Sequence, residues 1–128
     1  MEKDIVLAGG VSLHLTAERL GGDLAVTVAG GCRPHVGCVA LAMPRESLTG
    51  SGETSATTSV INVTGHKDDA VAVQVAAGLA AAENCVVTVS CGIHFDAITP
   101  RQMQAVMEAP ARIVSEIADW LRGETNRD

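Results

Sequence analysis

Apolar and polar residues alternate with a period of two along Val11-Ser12-Leu13-His14-Leu15-Thr16 and again along Leu24-Ala25-Val26-Thr27-Val28, as expected for strands with one buried face. Gly21-Gly22-Asp23 lies between them as a turn signal, so the pair predicts a hairpin. A second turn, Gly30 to Pro34, leads into a β-prone run from Val36 to Met43, giving three antiparallel strands in a row. The segment 45–57, RESLTGSGETSAT, turns to Ser, Thr and Gly and predicts a mobile surface loop, followed by a strand over 58–63. The period then changes. Val71, Val75 and Leu79, with Ala72, Ala76 and Ala80 beside them, mark one face of a helix over about 68–82 whose small residues let it lie close to a sheet. The strongest strand follows at 85–95. Thr99-Pro100 then supplies an N-cap with proline at the first helical position, predicting a helix from about 100 to 122, broken or kinked at 108–110 by Pro110.

The order β-β-β-β-α-β-α predicts an α+β fold: a single antiparallel sheet with two helices packed on one face. With 128 residues the chain is read as a single domain, 1–128, carrying the loop at 45–57 and a frayed tail at about 123–128. A sheet covered on only one face leaves the other to a partner, and a homodimer would cover it.

Composition narrows the function. A formal net charge of -6 and only two aromatic residues, Phe95 and Trp120, argue against a nucleic-acid surface, which needs a basic stripe and usually stacking rings. Apolar residues fall in short runs, so no membrane span is expected, and MEKDIVLAGG lacks the pattern of a secretory signal, so a cytoplasmic protein is expected. Cys32, Cys38, Cys85 and Cys91 form two pairs spaced more widely than structural zinc ligands, and read as small buried hydrophobes. No metal is expected, and neither Ser90 nor any cysteine carries a nucleophile's sequence context, so no catalytic residue is assigned.

Two places carry candidate chemistry. Gly65-His66-Lys67 puts a cation and a titratable ring at the helix end that already bears partial positive charge. Exposed N–H groups there, with Lys67 and His66, suit a phosphate or carboxylate, and Arg45, Thr58 and Ser59 are further candidate donors. Plain solvation of this stretch, with Asp68 or Asp69 as the helix cap, is the competing reading. The second place is the polar face of the last strand, where Ser90, Gly92 and His94 would floor a site, Gly92 letting a ligand approach closely. His94 and Asp96 flank Phe95 and form a possible acid–base pair; an ordinary solvated strand face is the alternative.

The runs HVGCVALAMPR (35–45), TTSVINVTGHKDD (57–69) and VTVSCGIHFDAIT (87–99) resemble the prenylated-flavin chaperones, the small D subunits that accompany UbiD-type decarboxylases. The resemblance spans about residues 11–120. It implies a fold similar to the proteasome assembly chaperones, a homodimer, and a non-enzymatic role: holding prenylated FMN, or FMN, after a flavin prenyltransferase makes it and passing it to the decarboxylase. The phosphate would then sit on Gly65, His66, Lys67 and the helix start, with Arg45, Thr58 and Ser59, and the flavin near Ser90, Gly92 and His94. With so few aromatics, the ring would pack on aliphatic or Met surface, Met43 being a candidate. Two other functions compete: a cofactor-free assembly chaperone that binds a protein through its sheet, and a small enzyme using His94 and Asp96 as general acid and base.

Overall fold

A computed structural model describes residues 1–63 and 68–125. Among them the elements run β1 (Glu2–Val6), a single 3-10 turn (Ala8–Gly10), β2 (Ser12–Leu20), β3 (Asp23–Gly31), β4 (Cys38–Glu46), β5 (Thr54–Asn62), α1 (Asp69–Glu83), β6 (Val87–His94) and α2 (Pro100–Thr125). The fold is α+β as predicted, one sheet backed by two helices. The sheet is mixed rather than purely antiparallel, in the order β1-β2-β3-β6-β4-β5. β6 enters between β3 and β4, running parallel to β3 (Val28 opposite Cys91) and antiparallel to β4 (Cys38 opposite Cys91). The expected three-strand meander is therefore interrupted. β5, α1 and β6 form a β-α-β crossover that carries β6 past β4, and the segment between β3 and β4 must cross the end of β6.

Three further expectations change. β1 adds an edge strand that the charged run Glu2-Lys3-Asp4 concealed; Ile5 is buried opposite Leu13, and the Met1 ammonium donates to the Ala17 carbonyl at 2.8 Å. The predicted loop over 45–57 is strand at both of its ends. Arg45 pairs with Ser55 and Glu46 with Thr54, so only 47–53 connects β4 to β5. Ser and Thr there mark an edge strand with little to bury, not a loop, and Thr is comfortable in β geometry. Pro44 is tolerated because β4 runs past the end of its pairing with β6 at Ala42. Finally, α2 passes through Pro110 as one helix. The N–H that proline lacks costs a hydrogen bond, but burial of Ala109, Ile113, Ile117 and Leu121 along the same face holds the helix together.

The core lies between the sheet and the helices. Leu13 and Leu15 of β2, Val26 and Val28 of β3, Ala40 of β4 and Val87 and Val89 of β6 face Val75, Leu79, Ile113 and Ile117, all buried. Alanines at 72, 76 and 80 bring α1 close to β4, β5 and β6. α2 covers the other half; Lys3 meets Glu116 at 2.5 Å and Arg112 donates to the Val6 carbonyl. α2 starts with a reciprocal capping box: the Gln102 N–H donates to Thr99 Oγ1 and the Thr99 N–H to Gln102 Oε1, at 3.1 and 3.0 Å. Among the described residues no helix packs on the opposite sheet face, which exposes Val39, Leu41 and Met43 of β4, with Ile61 of β5 opposite Val39.

Candidate functional site

β3 and β6 run parallel and end together, Gly31 opposite His94. Beyond that point the chain diverges: after β3 it crosses β6 to reach β4, and after β6 it turns back into α2. Such a divergence at the carboxyl ends of parallel strands opens a crevice.

Residues 32–37 form a strap across the end of β6, and glycine makes the crossing possible. An added Cβ at Gly92 would stand 1.7 Å from the His35 carbonyl oxygen; at Gly31, which has φ +75°, 2.2 Å from the His94 oxygen; and at Gly37, 2.2 Å from Asp68 Oδ2. Gly92 thus admits the strap's own backbone, not a ligand as its position in the sequence suggested. The strap is tied by Cys32 N–H to the His94 carbonyl (2.6 Å) and Gly37 N–H to the Cys91 carbonyl (2.9 Å), and the Val63 N–H donates to the Gly37 carbonyl (2.8 Å).

The crossing assembles a polar cluster that spacing in the sequence does not reveal. Arg33 Nη2 lies 3.1 Å from His94 Nε2, which in turn lies 3.1 Å from Asp96 Oδ1; Arg33 is 3.9 Å from the same carboxylate oxygen. The His35 and His94 rings meet edge to face, with centroids 6.3 Å apart. His35 Nδ1 donates to the Arg33 carbonyl at 3.1 Å, and its Nε2 is 3.3 Å from Asp68 Oδ2. Asp68 occupies the N-cap position of α1 but does not cap it. Its Oδ1 accepts the Ile93 N–H at 3.1 Å, so the buried carboxylate ties helix, strap and strand together.

Two hollows meet at His94. The larger, about 550 Å³, opens between α1 and α2; its walls include Val71, Phe95, Ile98, Met103 and Met107, with Asp68, Gln74 and His94 as polar groups. This volume is typical of small-molecule sites, which are mostly apolar with a few placed polar groups. The smaller, about 330 Å³, is lined by Arg33, His35, Val36 and His94. Beneath the strap, burial pushes the Cys38 thiol up to about 11, helped by the charges of Asp68 and Asp69, and raises Cys91 further. Thiols held protonated in this way are unreactive. Among the described residues no group of three or more His, Cys, Asp or Glu is arranged to hold a metal ion, and no helix is long and apolar enough to cross a membrane.

The residues singled out from the sequence are distributed unevenly. His94 and Asp96 do come together. Ser90 lies on the open sheet face in a separate groove with Thr27, Val39 and Thr88, divided from His94 by the strap over Gly92. Thr58 and Ser59 lie midway along β5, opposite Ala42 and Leu41. Arg45 donates to Thr57 Oγ1 at 2.9 Å and sits seven residues beyond Cys38 along β4, roughly 23 Å from the strap end of the sheet. Met43 is also on that distant part of the open face. Gly65, His66 and Lys67 lie outside the described residues. Arg33, His35, Met103 and Met107 were not anticipated. The methionines had a signal, exposed apolar residues at i, i+4 spacing in an otherwise amphipathic helix; Arg33 read as a turn residue, and His35 carried no assignment of its own, until β6 is placed beneath them.

Residues 7–122 match the sequence model of a family described as the prenylated flavin chaperone LpdD-like domain. No curated protein matches the chain. Among solved structures, a chain from the crystal structure of a chaperone complex for yeast 20S proteasome assembly superposes with a TM-score of 0.56 over 97% of this chain and 96% of that one, at 16% sequence identity. At that identity the likeness concerns the fold alone.

Proposed function

The chain belongs to the LpdD-like prenylated flavin chaperones, and on that footing we propose that it is a small non-catalytic carrier that binds prenylated FMN and helps to mature a UbiD-type decarboxylase. The observation that carries this reading is the apolar, methionine-walled hollow between α1 and α2, with polar groups at its edge. Its donors and walls fit a flat, largely apolar ring system: methionine, isoleucine, valine and the Phe95 ring offer contact surface, and polarizable thioethers pack well against π-systems. The flavin prenyltransferase that makes the cofactor and the decarboxylase that receives it are the transient partners in this reading, and the carrier works as a homodimer. Of the residues read from the sequence, His94 borders the hollow between α1 and α2 and lies towards the flavin, while Gly65, His66 and Lys67, which precede Asp68 in the chain, are candidate further donors to the phosphate.

Co-expression with a flavin prenyltransferase tests the proposal. The purified protein should carry a visible flavin absorption band, and mass spectrometry of the released molecule should return prenylated FMN. Lys67→Ala should reduce the bound fraction if the helix start holds phosphate. A colourless protein would overturn the carrier reading.

One observation favours a second reading, a cofactor-free assembly chaperone. The helix-free sheet face exposes Val39, Leu41, Met43 and Ile61 as neighbours, a surface suited to a protein partner. A colourless protein that captures a decarboxylase subunit, and loses it on Leu41→Lys, would support that alternative. The small-enzyme reading, with His94 and Asp96 as acid and base, would require a turnover abolished by His94→Ala.

A further inference from the structure

Resting on the carrier reading, we propose that the cofactor is held in two lobes that meet at His94: the ring system in the hollow between α1 and α2, and the phosphate in the strap hollow, on Arg33 and the imidazole of His94. Asp96 holds the phosphate's place until ligand arrives.

The argument begins with an imbalance of donors. His94 Nε2 faces Arg33 Nη2 and Asp96 Oδ1, each at 3.1 Å. A single ring nitrogen can accept from the guanidinium or donate to the carboxylate, but not both at once. Whichever tautomer is present, one of the two contacts is unmade. Arg33 brings a fork of N–H donors, yet the Asp96 carboxylate oxygen stands 3.9 Å away, beyond hydrogen-bond length. A phosphate in the hollow resolves both defects, because its several acceptor oxygens can take bonds from the guanidinium and from Nε2–H together.

Position supports the same assignment. His94 lines both hollows, so a ligand with an apolar ring at one end and an anion at the other would span them. The larger hollow has the apolar walls and a carboxylate, Asp68, already engaged by the Ile93 N–H and facing His35; it is unsuited to a phosphate. The smaller hollow has the guanidinium. Asp96, mostly exposed on the 95–99 turn, has room to withdraw. The strap that carries Arg33 is fixed at both ends by backbone hydrogen bonds, so the cation is held in place before the ligand binds.

The experiment compares binding of prenylated FMN with binding of the same compound after phosphatase treatment, which removes only the phosphate, by flavin fluorescence or absorbance titration of the full chain. Arg33→Met should weaken prenylated FMN by about tenfold and leave the dephosphorylated ligand unaffected, since a charge-assisted contact at a solvent-exposed site is lost. Asp96→Asn should tighten prenylated FMN a few-fold by removing the competitor. Met107→Asn should weaken both ligands to the same extent. Thermal melting checks that each variant folds, and Arg33 and Asp96 are exposed enough that their variants should melt as the parent does. If the parent protein binds prenylated FMN and Arg33→Met binds it equally well, the two-lobed assignment falls while the carrier reading stands. If the parent binds neither ligand, both fall.

Discussion

The tightest contact behind the site is also the most exacting to test. Gly92→Ala places a methyl 1.7 Å from the His35 carbonyl oxygen and 2.4 Å from its carbon, where Cβ atoms essentially never come closer than about 3.0 Å. The obstacle is backbone, so no rotamer change relieves it. Either the strap rises by more than 1 Å, an amount implied by the gap between 1.7 and about 3.0 Å, or β6 bends. Overpacking of this kind costs about 1–3 kcal/mol. Lifting the strap also strains the bonds from Cys32 to His94 and from Gly37 to Cys91, each worth about 1 kcal/mol net. Against this, alanine recovers about 0.5–1 kcal/mol of the backbone entropy that glycine loses on folding. The net expectation is a loss of about 3 kcal/mol, or about 10 °C in Tm for a domain of this size. Gly123→Ala is the control: nothing lies within 4 Å of its added methyl and it sits within α2, so it should be neutral or slightly stabilising. Urea and thermal unfolding by circular dichroism measure both variants. A Gly92→Ala protein as stable as the parent would refute the strap's close approach to β6, and with it the placement of Arg33 and His35 beside His94.

Other predictions follow from the same geometry. Asp68→Ala leaves the Ile93 N–H without its acceptor and should cost about 1–3 kcal/mol by urea unfolding, whereas Asp68→Asn, which keeps an acceptor oxygen, should cost less. Cys32 alone among the four thiols is exposed; Cys38, Cys85 and Cys91 are all raised, chiefly by burial, so a native labelling assay with an aromatic disulfide should show one fast thiol and the others only slowly or after unfolding. Fast labelling of Cys91 would contradict the packing under β4 and β6. The hydrogen bond from His14 to Asp4, 2.6 Å long, raises the His14 pKa above 6.5, with Glu2 adding charge. Because the folded value is the higher one, the stability it contributes is complete below 6.5 and disappears as pH rises through the raised value. Asp4→Asn should bring the NMR titration midpoint of His14 back towards 6.5, and an unchanged midpoint would refute the pairing.

The chain's local order was largely legible without a structure. Period-two alternation marked β2, β3 and β6, because a strand with one buried face has no other way to sort its residues. The four-residue recurrence of Val71, Val75 and Leu79 marked α1, and Thr99-Pro100 marked the start of α2, since a capping side chain and a preset φ act within one turn. The resemblance in three short runs pointed to the family, and the pairing of His94 with Asp96 followed from their separation by two. Strand neighbours did not follow. The insertion of β6 between β3 and β4 depends on where the α1 crossover lands, and no local pattern records that. β1 and the first half of β5 were hidden for a related reason: an edge strand satisfies its backbone by pairing on one side and needs few apolar residues to do so. Continuity of α2 through Pro110 depends on burial along the whole helix face, not on the proline alone. Arg33 read as part of the turn Gly30 to Pro34, and His35 simply followed it. They face His94 only because the chain must cross β6 to reach β4, and that crossing brings together residues 61 positions apart. The sequence thus determined which segments become strands and helices, which short-range forces decide, while the site arose from the order in which the sheet is assembled.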